Sequence, residues 1–321
     1  MSGRKLLIGC LSMLVFFGCD GAKQNQAQVP ITLEIDVNWV VQNELENLAD
    51  EMRKFLHAHG YAYLQLKQQV NDLVLAYRPQ AEHDLMTELQ TSFTHVMMEE
   101  LAEPPSSDKR QIRIQLPKQM RVELLNKSRT TNMQAIEKSF LRAGVQIKAI
   151  PVTQARFTLA IPKNQYDPKQ LQAFIQFQQL EFYLVSKESK PEGAYVVQDK
   201  NGQALYLERE PVLTGKAIEN AEAVTSAQLN QPALNVSLHD EEAEIMQAFT
   251  QENIGRSMAV VLKTEQQARV LSVASIQGVF GKRFVIAGLD SMEEANNLAN
   301  FLVSGELAAP MRVVSDKTKT E

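Results

Sequence analysis

"ITLEIDVNWVVQNELENLADEMRKFL", Ile31–Leu56, changes its period half-way along. Ile31, Leu33, Ile35 and Val37 alternate with polar neighbours, the spacing of a half-buried strand. Val41, Leu45, Leu48, Met52 and Phe55 or Leu56 then recur every three or four residues, so one face of a helix is apolar until Gly60 stops it. A strand that runs straight into an amphipathic helix predicts an α+β fold.

Downstream, "YAYLQLK" and "DLVLAYR" read as alternating strands joined by the polar turn "QQVN", followed by a helical pattern over Glu82–Phe93 and a short apolar "HVMM". Strand, helix, strand, strand, helix, strand is the βαββαβ ferredoxin-like plan, which predicts one such unit over residues 30–103. "PPSSDK", Pro104–Lys109, marks a subdomain boundary. The same order then recurs in "QIRIQL", a helix over Asn132–Arg142 ended by Gly144, "QIKAI", "RFTLAI", a helix after Pro168, and "LEFYLV". The charged linker "SKESKPEG", Ser186–Gly193, follows, and "DKNGQ", Asp199–Gln203, turns "YVV" back on "ALYL" as a hairpin.

Upstream, "GAKQNQAQ", Gly21–Gln28, holds no large apolar residue and reads as a flexible tether. Before it, Arg4 and Lys5 precede the apolar run Leu6–Phe17, the pattern of an export signal too short to span a bilayer. Gly18 directly before Cys19 resembles the lipobox of bacterial lipoproteins, which implies cleavage after residue 18 and acylation of Cys19. Asp20 in the second mature position resembles an inner-membrane retention signal. Phe16 and Phe17 depart from the residues usual there, and an ordinary cleaved signal with a stray cysteine is the alternative. The other cysteine, Cys10, lies inside the leader, so no disulfide is expected.

With 44% hydrophobic and 22% charged residues, the composition is that of a globular protein, and 321 residues suit about two domains. A net charge of -5 argues against nucleic acid as a partner. Catalytic and metal-binding patterns are weak. His57 and His59 stand two apart at a helix end and point in different directions, and a helix dipole explains them better than a metal. His83, His95 and His239 lack a nearby cysteine or patterned carboxylate, while "HDEEAE", His239–Glu244, suits a helix start. "GVFGK", Gly278–Lys282, lacks the spacing of a phosphate-binding loop. Trp39 and the phenylalanines of "AFIQFQQLEF" suit core positions. We therefore expect no catalytic residue, metal or cofactor.

The last third carries a resemblance. "VLTGKAIENAEAV" (Val212–Val224), "PALNVSL", "IMQAFTQENIGRSMAVVL" (Ile245–Leu262) and "VASIQGVFGKRFVIAGLDSMEEANNLANFLVSGELAAPMRVV" (Val273–Val314) stand in an order and spacing that resemble the first periplasmic domain of the SecD family. The specific positions are Leu213, Thr214 and Gly215; Asn253, Ile254 and Gly255; and the run from Ala295 through Gly305 to Pro310. A weaker colinear resemblance runs from Ile31 to Val185. It implies a ferredoxin-like base over 110–186 plus 289–314, an inserted head over 187–288 and a polar tail over 315–321. It also implies a non-enzymatic role in Sec-dependent protein export, with translocating preproteins and the SecD/SecF or SecYEG complex as partners. Three departures limit it: a lipobox stands in place of a first membrane helix, no membrane bundle follows Val314, and the Asp-Leu-Arg-Gly-Gly motif is missing near "AKQNQAQ". A repurposed envelope lipoprotein that binds another partner is the second reading, and a hydrolase or metal enzyme the third. The strands "LNVSL", "MAVVL" and "FVIAG" would offer an edge to an extended chain, or else stand fully paired.

Overall fold

A computed structural model describes residues 27–79, 84–102, 108–187, 194–199, 201–226 and 230–314. Cys10, Cys19, Asp20, His83 and the tail 315–321 lie outside the described residues. In chain order the elements begin with β1 (Gln28–Ile35), α1 (Val37–Ala58), β2 (Tyr63–Gln68), β3 (Asp72–Tyr77), α2 (Leu85–Ser92), β4 (Met97–Leu101), β5 (Arg110–Gln115) and α3 (Lys118–Arg142). Then follow β6 (Lys148–Pro151), β7 (Arg156–Pro162), α4 (Pro168–Ile175), β8 (Gln178–Leu184), β9 (Tyr195–Gln198), β10 (Ala204–Leu207), β11 (Leu213–Thr214) and β12 (Ile218–Thr225). The last are β13 (Pro232–Leu238), α5 (Asp240–Glu252), β14 (Ser257–Thr264), β15 (Ala268–Ser275), β16 (Arg283–Ala287), α6 (Met292–Ser304) and β17 (Met311–Val314).

The opening strand and helix form as their spacing dictates. Leu33 and Ile35 are buried on one face of β1. The Asp36 carboxylate caps α1 by accepting from the Trp39 N–H at 3.0 Å, and Val41, Leu45, Leu48, Met52 and Leu56 are buried along it. Gly60, at φ 71, ends the helix and lets the Tyr61 N–H return to the Leu56 carbonyl at 2.9 Å.

The partner of β1 corrects the first expected unit. β1 pairs with β7 and β17, not with β3, giving an antiparallel sheet in the order β17-β1-β7-β6. Counting β1, β6, β7 and β17 as first to fourth, that order is fourth, first, third, second, the arrangement of a split βαβ unit with α3 and α4 as its helices. β5 instead joins a second sheet, β2-β3-β5-β4, and pairs with β4 across the break expected at Pro104–Lys109. The two strands have therefore traded places relative to the sequence expectation. Their alternating apolar faces are interchangeable, but their polar faces are not. Glu34 of β1 sits between Arg156 of β7 and Arg312 of β17, with both ion pairs inside 3 Å. Arg113 of β5 reaches Glu99 of β4 at 2.6 Å and Asp72 of β3 at 3.5 Å.

Three further elements depart from expectation. α3 begins at Lys118 rather than near Asn132, because Met120, Leu124 and Leu125 in its polar first half pack against the two cores that the helix bridges. β8 and α6, assigned to the base by sequence, stand with the head. β8 pairs with β11 and β14 in the sheet β11-β8-β14-β15, and α6 packs on β12 and β13 of the sheet β12-β13-β16. One core joins them, with Phe182 and Val260 from the first sheet, Leu234 and Ile286 from the second, and Leu298 and Leu302 from α6. The opposite face of β8, β14 and β15 buries Tyr183, Ala259, Val261 and Val270 under the β9–β10 hairpin, whose Val197 and Leu207 complete that core.

Trp39 meets the Phe177 ring edge-on at 4.8 Å, and Phe140 meets Phe174 at 5.0 Å, so these aromatics occupy the base core, while Phe182 at the end of the run packs in the head core. No described helix is long and apolar enough to cross a membrane.

Candidate functional site

The eight motif positions fall into two clusters. The first lies where the head returns to the base. Leu213 and Thr214 form β11 and pair with Phe182 and Glu181 of β8. Gly215 follows, and a Cβ there would stand 2.2 Å from Glu306 Oε1 and 3.1 Å from Leu302 Cδ2, so nothing larger than glycine fits without movement. Gly305 ends α6 at φ 97, in the left-handed region, and directs the next residue inward. Pro310 leads into β17, and its carbonyl accepts from the Asp36 N–H at 2.9 Å.

The inward residue, Glu306, is the one that sequence reasoning missed. It is 6% exposed, and its Oε1 accepts from the Leu180 N–H at 3.0 Å and lies against Gly215. Burial pushes its carboxyl up to about 7, while the Leu180 N–H, Lys216 and the Gly215 N–H pull it down and Glu181 pushes it up. The available signal was an acid set inside the apolar run "FLVSGELAAP" directly after a helix-ending glycine.

The second cluster closes α5. Asn253 caps the helix, with its Nδ2 donating to the Phe249 carbonyl at 2.9 Å, and Gly255 turns at φ 85 to place its N–H on the Ile276 carbonyl at 2.8 Å. Arg256 then binds Asn253 Oδ1, the Val185 carbonyl and Glu208 Oε1, fixing the turn to β8 and to the segment after β10. The Ile254 side chain faces solvent, 55% exposed.

Between the clusters, on the hairpin side of the sheet, Glu181 is buried beside a cation. Lys263 Nζ lies 2.6 Å from its Oε2, the Tyr183 hydroxyl donates to the same oxygen at 2.6 Å, and Lys263 stands 4.7 Å from the Tyr195 ring centre. Burial, and then the bond to Glu181, push the Tyr183 hydroxyl upward.

These residues position backbone and close packing; they do not assemble a reacting group. His57 lies in the last turn of α1, where His59 Nδ1 is 2.9 Å from the Phe55 carbonyl, and His239 precedes an acidic first turn of α5. Among the described residues no three His, Cys, Asp or Glu side chains are grouped to hold a metal.

A family model for "SecDF, P1 head subdomain" matches residues 192–309. This region is similar to the P1 head of SecDF. Beyond it the chain resembles SecD more weakly. Protein translocase subunit SecD of Haemophilus influenzae is 33% identical over 149 residues, covering 42% of this chain and 24% of that protein. SecD of Escherichia coli is 32% identical over 145 residues, covering 40% and 23%, and SecD of Rickettsia bellii is 24% identical over 299 residues, covering 90% and 56%. The chain thus spans about a quarter of the first two relatives. Among solved structures, "Structure and function of a membrane component SecDF that enhances protein export" aligns at a TM-score of 0.48 and 22% identity, over 68% of this chain and 97% of that one. "Crystal structure of SecDF in Super-membrane-facing form" aligns at 0.48 and 24%, over 59% and 28%.

The match to 309 takes in α6, in agreement with the packing of that helix on the head sheet. Of the three strands expected to offer an edge in this P1 head, two are enclosed: "LNVSL" is in β13, between β12 and β16, and "MAVVL" is in β14, between β8 and β15. "FVIAG" begins in β16, which pairs on one side alone. There Val285 is 53% exposed, while the Phe284 ring turns inward, edge-on to Phe182 at 5.8 Å.

Proposed function

We infer that this chain is a non-enzymatic, SecD-like accessory of Sec-dependent protein export, needing no cofactor and held on the periplasmic face of the inner membrane by lipid on Cys19, with Asp20 as its sorting residue. The observation that carries the reading is the match of residues 192–309 to the SecDF P1 head. In this reading, residues 1–18 are a cleaved leader and 19–29 a tether. The partners are translocating preproteins or the SecD/SecF and SecYEG complexes.

The one-sided edge of β16 supports the preprotein part, because an extended chain adds to such an edge through backbone hydrogen bonds with little demand on its sequence. Many unlike clients could share it. Photo-crosslinkers belong at Val285 and Ile254, which face solvent, rather than at Asn253, whose side chain caps α5, or Lys282, which is paired to Asp240 and Glu219. Capture of exported precursors or Sec subunits in intact cells from these positions, and not from Val70 on the β2–β3 turn outside the head, is the expected result. Capture of unrelated envelope proteins alone would mean that the head serves another partner. Mass spectrometry of the mature amino terminus tests the acyl group on Cys19 directly.

A further inference from the structure

One end of the base sheet is unlike the rest of this acidic chain. Strand register defines that end. Gln28 faces Pro162, Lys148 faces Ala160, and Val314 faces Thr32, so β1 and β6 begin there while β7 and β17 finish there. The Ala27 carbonyl, the first described residue, accepts from the Lys163 N–H at 2.9 Å at the same place. α3 arrives from the far end, where Arg129 bonds the Thr153 carbonyl, and finishes here, where Glu137 caps the Ala149 N–H at 2.7 Å.

Five exposed cations from four elements converge: Lys138 and Arg142 on α3, Lys148 opening β6, Lys163 after β7, and Lys169 in the first turn of α4. None makes an ion pair with a described residue. The nearby acids Asp167 and Glu137 are turned to backbone N–H groups, one capping α4 and the other β6. Leu141, between Lys138 and Arg142, is 65% exposed. A helix dipole favours cations at the end of α3, but it disfavours one at the start of α4, and it says nothing of Lys148 or Lys163. Local stability therefore does not explain the cluster.

The chain upstream does. Residues 1–26 join the fold at this end and contain the apolar run Leu6–Phe17, and from Cys19 to Ala27 the chain reaches at most about 30 Å even when fully extended. We propose that this basic end of the base, with Leu141 exposed on it, docks on the anionic phospholipid headgroups of the bilayer to which the leader leads, and so orients the head away from the membrane. The inference shares the membrane placement of the export reading but requires no Sec partner.

Hydrogen–deuterium exchange of the full chain on phosphatidylcholine vesicles, with and without phosphatidylglycerol, tests it. The expected result is slowed exchange over residues 138–148 and 163–169 on the anionic vesicles alone, with residues 241–254 of the head unchanged. The slowing should vanish near 1 M salt, where the screening length is about 3 Å. Combining Arg142→Glu, Lys148→Glu and Lys163→Glu should abolish it, at about fivefold in affinity per charge, while the urea midpoint stays put because all three side chains are exposed. Equal exchange on both vesicle types, protection that survives the triple reversal, or protection that appears only when SecYEG is in the vesicle would overturn the proposal. A free Cys19 thiol would instead remove the anchor and leave the surface testable, since an unanchored chain would then float with anionic vesicles and not with neutral ones.

Discussion

Glu306 and Gly215 meet at atomic contact although 91 residues separate them, and each explains the other. A buried carboxyl needs donors, and the absent Cβ of Gly215 lets two backbone N–H groups approach it. Because the folded state raises this carboxyl to about 7 from its ordinary 4.5, the native protein holds the proton more tightly than the unfolded chain. The corresponding stability is complete below about pH 4.5 and is lost as pH rises through about 7, an effect of up to about 3 kcal/mol. Urea unfolding at a series of pH values should show that decline in the natural protein and a flattened one in Glu306→Gln. An unchanged slope in the variant would place the titration elsewhere. The acid was visible in the sequence, but its burial was not, since a single charged residue after a helix reads as solvated until the chain beneath it is known.

Alternating strands such as β1 and β5 were legible as strands, and the helix of Val41–Leu56 as a helix, because period depends on local geometry alone. Partnership was not legible from the apolar face, for every half-buried strand repeats it. The polar face held the missing information: an acid at Glu34 suits neighbours carrying Arg156 and Arg312, and a cation at Arg113 suits Asp72 and Glu99. The start of α3 escaped detection for a related reason, since a helix bridging two cores spreads its apolar contacts over more than one stripe. Asn132 marks the point where this helix grips the return from head to base. Fully buried, it donates from Nδ2 to the Ala309 carbonyl at 2.8 Å and accepts from the Ala308 N–H at 2.6 Å. Asn132→Ala leaves both backbone groups unsatisfied and should cost about 2–4 kcal/mol, read as a lowered urea midpoint. A shift below the error of that measurement would mean that water replaces the side chain.

At the scale of the molecule, α1 touches the head through charge. Asp50 pairs with Arg209 at 2.8 Å and Lys54 with Glu210 at 2.8 Å, on exposed side chains apart from the half-buried Asp50. Exposed pairs contribute little, so Asp50→Ala should change stability by less than about 1 kcal/mol. The pair under the hairpin is different: Lys263→Met leaves the buried Glu181 carboxylate without its cation, with the Tyr183 hydroxyl still donating to it, and should cost about 3 kcal/mol or more. Guanidinium unfolding of the two variants side by side separates these cases. Similar losses would contradict the assignment of one pair as exposed and the other as buried.

The sequence by itself determined the α+β class, most of the helices and strands, the aromatic core of the base and, through the order of its motifs, the SecD-like head, because each rests on spacing along the chain. Only the tertiary structure decided that β1 closes the base sheet, that β8 and α6 belong with the head, that Asn253 is a cap while Ile254 and Val285 face outward, and that five scattered cations share one end. Those outcomes depend on which distant residues meet, and period, which repeats at every strand and helix, carries no record of the partner.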